Sequence, residues 1–196
     1  IEFYTFESLD RAGIKHGIFT RKGGVSPQPW STLNLGGTVG DQRENVVENR
    51  RRIFDVIDRP VESIFDVWQV HSADVVCADA PRPLDQPHQI GDAILTDRAR
   101  ITLAMRFADC VPILLFDPAR RVIGIAHAGW KGTVLRAAAQ AVTKMRDVYG
   151  TSAEDVLACI GPSIGPDHYQ VGSEVTVQVR HAFGDCLFST SPSPRD

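Results

Sequence analysis

His71, Cys110 and His127 are the residues of this sequence whose types and positions best suit metal chemistry. His71 closes the run Val67-Trp68-Gln69-Val70, Cys110 directly precedes the apolar run that starts at Val111, and His127 closes Val122-Ile123-Gly124-Ile125-Ala126. Each therefore stands at the end of a strand-like segment, where a sheet presents side chains to a cleft. Two imidazoles and one thiolate with an open fourth position make a catalytic zinc set, not a structural one. No two of the three are close in sequence, so no ligand-pair motif is present. A lone His or Cys beside an apolar strand is more often a packed, hydrogen-bonded core residue, and spacing alone leaves that reading open. Cys110 could instead be a nucleophile with His71 or His127 as its base. Asp109 could move a proton, orient a neighbour, or only bond backbone at the strand start.

Two glycine-containing turns are candidate anion loops. In Gly129-Trp130-Lys131-Gly132-Thr133, Gly129 and Gly132 let the backbone approach a ligand. A following helix N-terminus and Lys131 would favour phosphate. The pattern is not a Walker loop, and glycines at such a turn often serve the turn alone. Arg21-Lys22-Gly23-Gly24 is either a basic anion loop or a tight exposed turn. No Ser-His-Asp order is apparent.

The elements that must position these residues are short. Runs rich in β-branched and aliphatic residues predict strands at 17–20, 64–70, 75–78, 93–96, 101–105, 111–116, 122–126 and 156–160. Helical periodicity appears after Asp41, through Val46, Val47, Arg50, Ile53, Phe54 and Ile57, with Asp41 and Glu44 in a capping-box pattern. It appears again after Thr133, through Val134, Ala138, Ala141, Met145 and Val148, with Gly150 as the terminating glycine. A shorter helix is predicted after Ser173, ending at Gly184. Strands outnumber helices and do not alternate strictly with them. That pattern predicts an α+β fold of layered mixed sheets flanked by helices, not a doubly wound one.

The whole chain narrows the classes further. Its 196 residues suffice for one sizeable core and are too few for two comfortable domains. A net charge of −3 supplies no basic footprint for nucleic acid. No run approaches the roughly 18 apolar residues that cross a bilayer, and no signal-peptide pattern opens the chain. The cysteines (Cys77, Cys110, Cys159 and Cys186) are scattered, which predicts reduced thiols in a cytoplasmic protein. The Pro-rich stretch from Asp79 to Gly91 is a loop within one domain, and residues 189–196 are a Ser/Pro tail.

Seven stretches together resemble the YfiH/YlmD family, also described as laccase-domain or multicopper polyphenol oxidase-like proteins and as peptidoglycan editing factors. They are His16-Gly17-Ile18-Phe19-Thr20-Arg21-Lys22-Gly23-Gly24-Val25-Ser26, Ser31-Thr32-Leu33-Asn34-Leu35-Gly36, Gln69-Val70-His71, Asp92-Ala93-Ile94-Leu95-Thr96, Ala108-Asp109-Cys110-Val111-Pro112, His127-Ala128-Gly129-Trp130-Lys131-Gly132-Thr133 and Ile160-Gly161-Pro162-Ser163-Ile164-Gly165-Pro166. The resemblance implies zinc on His71, Cys110 and His127, and a single α+β domain over 1–196, shared in outline with a bacterial toxin deamidase. It implies phosphorolysis of adenosine, inosine and methylthioadenosine and deamination of adenosine, with a small-molecule nucleoside and phosphate as partners. Other members carry copper-dependent phenol oxidation or editing of peptidoglycan precursors, so copper is the less favoured metal. In this frame Asp109 carries a proton, Arg21 and Lys131 meet phosphate, Asn34 bonds the base or ribose, and Gly129 and Gly132 line the substrate. A thiol amide hydrolase using Cys110 and a non-enzymatic metal-binding module are the alternatives. The expected assembly is a monomer or weak dimer. Relatives usually continue past the Ser/Pro end, which predicts a C-terminally incomplete domain. They often carry cysteine around Asp167-His168-Tyr169, where this sequence has none.

Overall fold

Two facing apolar strands, 111–117 and 122–128, organise the chain. In a computed structural model, which describes residues 1–83 and 85–184, the elements run in the order β1 (Phe3–Tyr4), α1 (Glu7–Arg11), β2 (Ile18–Phe19), α2 (Arg43–Val56), β3 (Ile64–Phe65), β4 (Val75–Cys77), β5 (Ala93–Thr96), β6 (Thr102–Leu103), β7 (Val111–Asp117), β8 (Val122–Ala128), α3 (Trp130–Val134), α4 (Ala137–Tyr149), β9 (Leu157–Ile160) and α5 (Ser173–Phe183). Five strands form the central sheet in the order β4-β5-β8-β7-β9. β4 and β5 pair in parallel, and the remaining pairs are antiparallel. β1–β2 and β3–β6 form two small ribbons beside it.

Both faces of this sheet are covered, which explains why β5 opens with three successive apolar residues, Ala93, Ile94 and Leu95. Ala93 and Leu95 pack with Ala126, Ala141 and Met145 in the layer under α4. Ile94 points the other way, into a cluster with Phe65, Val67, Ala78 and Ile101 from the β3–β6 side. Ile94 and Leu95 are both fully buried, each contributing about 1.5–3 kcal/mol. A one-residue slip would exchange these two faces, so the register of β5 against β8 is strongly fixed. That register decides the geometry of the site.

The α+β single domain is as the sequence predicts, with local corrections. The predicted strands at 64–70 and 101–105 shrink to β3 and β6, followed on one side by an isolated bridge between Trp68 and Ile90. The helix predicted after Thr133 is two helices, because Arg136 takes a left-handed conformation (φ 58°) and restarts the chain at Ala137. Gly132 and Thr133 therefore lie inside the five-residue α3, not in a turn, and so short a helix has little macrodipole for phosphate. The capping box at Asp41 does not form. Its carboxylate accepts bonds from Ser26, Asn34, the Gln42 amide and Asn45, tying a loop to α2 instead. β1 and α1 carry no signal strong enough to predict. Cys77, Cys110 and Cys159 are free thiols. Cys186 and the Ser/Pro tail fall outside the described residues, among which no helix is long and apolar enough to cross a membrane.

Candidate metal centre

The sheet brings His71, Cys110 and His127 to one end. β7 opens at Val111 opposite Ala128 of β8, so Cys110 and Gly129 are neighbours just beyond the ladder, and His127 pairs with Pro112. His71 reaches the same end in the segment leading into β4. One ligand atom from each of the three lies within 4.8 Å of the others, and this is the one such group of His, Cys and acidic side chains among the described residues. Zinc bonds of about 2.0–2.3 Å in a tetrahedron hold ligand atoms roughly 3.5 Å apart. Small side-chain rotations would close the trio on an ion. His71 is exposed, Cys110 half-buried and His127 buried, so one side of the group is open to solvent.

Asp92 holds the trio in place, and the residue-by-residue reading gave it no role. It precedes β5, where the register with β8 sets it opposite His127: its carbonyl accepts the His127 amide at 2.7 Å, and its carboxylate accepts His127 Nδ1 at 2.8 Å. With Nδ1–H committed to a carboxylate, Nε2 is the nitrogen left with a lone pair for a metal. The same carboxylate accepts the amides of Val70, His71 and Ser72 and the Ser72 hydroxyl. His71 sits at φ 62°, a costly backbone state for a residue with a side chain, and these bonds hold it there. Asp92 is fully buried. Burial alone would raise its carboxyl, but the bonds from His127, Ser72 and Val70 outweigh it and hold the group below the usual carboxylate range. The sequence signals were a lone acid before the apolar run Ala93-Ile94-Leu95 and its place at the head of one of the stretches that carry the family resemblance.

The surrounding residues differ in how closely they meet the trio. Phe107 packs edge-on against His127, with ring centroids 5.5 Å apart, and the His71 and His127 rings are 4.9 Å apart. Burial and the nearby charges of Asp109 and Asp92 push the Cys110 thiol up. That is opposite to the depression a thiolate nucleophile relies on. Asp109 is exposed and adjacent to Cys110; its carbonyl accepts the Ile164 amide. Lys131 is exposed, with its ammonium 5.6 Å from the centroid of the Trp130 ring. Gly132 packs against the carbonyls of His127 and Ser72. No hydrogen bond or ion pair joins Asn34 or Arg21 to the trio among the described residues. The Asn34 amide is engaged inside its own loop by Gly36 and Asp41, and the Arg21 carbonyl accepts the amides of Thr32 and Leu33.

Gly129 matters for what it lacks. A Cβ at this position would stand 2.8 Å from Cys110 Sγ and 3.2 Å from His71 Cδ2. Gly129→Ala is expected to push Cys110 off the trio and weaken metal affinity about 10–100-fold, the range for groups that support ligands. Competition with a chromogenic chelator measures it, and unaltered affinity in the variant would show that the trio does not grip an ion in this geometry.

The fold and the trio thus define an α+β protein carrying one candidate metal centre of two imidazoles and a thiol. Residues 15–195 match the family described as multi-copper polyphenol oxidoreductase laccase, and the chain belongs to that family, which includes the YfiH and YlmD proteins. It is 40% identical over 169 residues to the purine nucleoside phosphorylase of Deinococcus radiodurans, covering 86% of this chain and 64% of that protein. It is 36% identical to the purine nucleoside phosphorylase YlmD of Geobacillus stearothermophilus, again over 86% of this chain and 64% of the relative. The crystal structure of the Geobacillus YlmD superposes with a TM-score of 0.80 at 37% identity, over 84% of this chain and 63% of that one. The Bacillus licheniformis protein YfiH gives 0.78 at 36% identity, over 84% and 64%. The chain therefore spans just under two thirds of these relatives.

Proposed function

We propose that this chain is a zinc-dependent purine nucleoside enzyme that phosphorolyses adenosine, inosine and methylthioadenosine and deaminates adenosine, acting in the cytoplasm as a monomer or weak dimer. The observation that carries the reading is the trio with Asp92 behind it. The donors fit one borderline-soft ion, Asp92 selects the free nitrogen of His127, and Gly129 leaves room at Cys110 and His71. The purine nucleoside phosphorylases among the relatives supply the substrate class. A zinc held here would supply a Lewis acid and a water activated near neutral pH.

The chain's own groups divide the remaining work. Asp109, exposed beside Cys110, accepts and returns the proton that water or phosphate must exchange. Lys131, two residues beyond Gly129, draws phosphate from solvent, with Arg21 as a second cation. Asn34 reaches the base or ribose only by exchanging one of its loop bonds. A phenol oxidase with several coppers would need further ligand groups, and the described residues bring together one.

Incubation of metal-free and zinc-loaded protein with adenosine, with and without phosphate, tests this. Zinc-loaded protein is expected to give adenine and ribose 1-phosphate when phosphate is present and inosine with ammonia when it is absent. Full turnover in strong chelator would remove the metal from the reaction, and phenol oxidation by copper-loaded protein with no nucleoside turnover would favour the oxidase.

A further inference from the structure

The β3–β6 ribbon ends short of His71 and Cys110, which lie on the continuations of its two strands. The strands run in parallel, Ile64 beside Thr102 and Phe65 beside Leu103, and the Ala104 amide donates to the Phe65 carbonyl at 3.0 Å. A continued parallel ladder would next bring the Arg106 amide to the Val67 carbonyl. That carbonyl instead accepts the Arg106 guanidinium at 3.2 Å. The first chain turns toward the segment before β5, where the Trp68 amide donates to the Gln89 carbonyl and the Trp68 carbonyl accepts the Gly91 amide. The two chains therefore part just before they reach the two ligand candidates.

Gln69 spans the parting. Its side-chain Nε2 donates to the Arg106 carbonyl at 2.8 Å, and its Oε1 accepts the Arg106 amide at 2.9 Å. The carboxamide thus takes the place of a neighbouring peptide unit, meeting the donor and the acceptor of a single residue. Those partners also fix which way round the amide lies, because a carbonyl needs an N–H and a backbone N–H needs an oxygen. Arg106 is anchored from its other end as well. Its guanidinium donates at 3.1 Å to Asp66, which is 1% exposed, accepts Arg82 at 2.7 Å and lies 3.0 Å from His88 Nε2.

We propose that Gln69 is a positioning residue of the metal centre, its carboxamide setting the separation of the Cys110 thiol from the His71 imidazole. His71 is two residues beyond Gln69 and Cys110 four beyond Arg106. Phe107, next to Arg106, packs on His127 with ring centroids 5.5 Å apart, so the clasp bears on all three members of the trio. Asp92 fixes His71 from beyond, through the amides of residues 70 to 72, and Cys110 runs straight into β7. Gln69 is the side chain that ties these two segments to each other. Tetrahedral coordination needs ligand atoms roughly 3.5 Å apart, and the trio stands within 4.8 Å. A slip of about 1 Å between the segments is enough to spoil such a site. Side chains of similar length do not replace the amide: glutamate has no N–H for the Arg106 carbonyl, and methionine can neither donate nor accept strongly. The assignment rests on the metal reading of the trio.

Cobalt(II) added to the metal-free full chain tests it, because the visible bands of this ion report coordination geometry and its charge-transfer band reports a bound thiolate. Gln69→Glu and Gln69→Met are each expected to weaken cobalt binding about 10–100-fold, the range for groups that support ligands. At saturating cobalt both should also show weaker visible bands, as coordination departs from a tetrahedron. Gln69→Glu keeps an acceptor for the Arg106 amide, and it decides the matter if Gln69→Met does not fold. Ser63→Ala is the control for lost stability. Its hydroxyl bonds the Pro60 carbonyl at 2.6 Å and the Thr102 hydroxyl at 2.7 Å, at the other end of the same ribbon. This variant is expected to melt earlier yet keep the cobalt affinity and spectrum of the unmodified chain. An equal loss of cobalt in Ser63→Ala would trace the effect to stability and overturn the assignment. Gln69 variants with unaltered affinity and spectrum would overturn it too, while leaving the metal reading intact. An unmodified chain that takes up no cobalt would end both.

Discussion

Cys110→Ser is expected to lose zinc and turnover together, with metal affinity falling by more than about 100-fold. Cys110 is the one sulfur ligand in the group that His71 and His127 complete. A serine hydroxyl at this place is a poor replacement, because thiolate sulfur matches the borderline softness of zinc and an un-ionised hydroxyl does not. The substitution is nearly isosteric and Cys110 is only half-buried, so the fold should survive. Metal content after dialysis, together with adenosine turnover, reads both effects. A Cys110→Ser protein that keeps its zinc and loses only turnover would make Cys110 a nucleophile, and a covalent substrate adduct trapped on Cys110 would do so directly. Either result would promote the thiol amide hydrolase.

Asp92→Asn is expected to lower metal affinity about 10–100-fold without touching a ligand. The carboxylate gathers His127 Nδ1, three successive backbone amides and the Ser72 hydroxyl. An amide side chain keeps one acceptor oxygen and turns an NH2 toward groups that are themselves donors. Each buried donor left without a partner costs about 1–3 kcal/mol, so the variant should also melt earlier. His71, held in a left-handed conformation by this net, should relax to an ordinary one and leave the trio. Chelator competition and thermal unfolding of the same preparation measure the two effects. Wild-type zinc affinity in a destabilised Asp92→Asn protein would confine Asp92 to folding and show that the trio does not depend on it.

The sequence by itself determined a good deal. The apolar runs of β7 and β8, the amphipathic stripe of α2 and the glycine that ends α4 (Gly150, φ 71°) follow from periodicity and turn chemistry acting over a few residues. The donor types of His71, Cys110 and His127 were also visible, and the family resemblance singled them out as a set.

What only the tertiary structure decided are relations between segments remote in the chain. Asp92 faces His127 because β5 pairs with β8 in one register, and nothing around Asp92 in the sequence encodes its partner. Asp66 likewise gathers Arg82, His88 and Arg106 from separate segments, and no local pattern links them. The break at Arg136 is likewise a tertiary matter, since no glycine or proline marks it. Local propensity is a sum over near neighbours. A site is an intersection of distant segments, fixed here by burying both faces of the sheet, which leaves β5 one register and the acid before it one place to go.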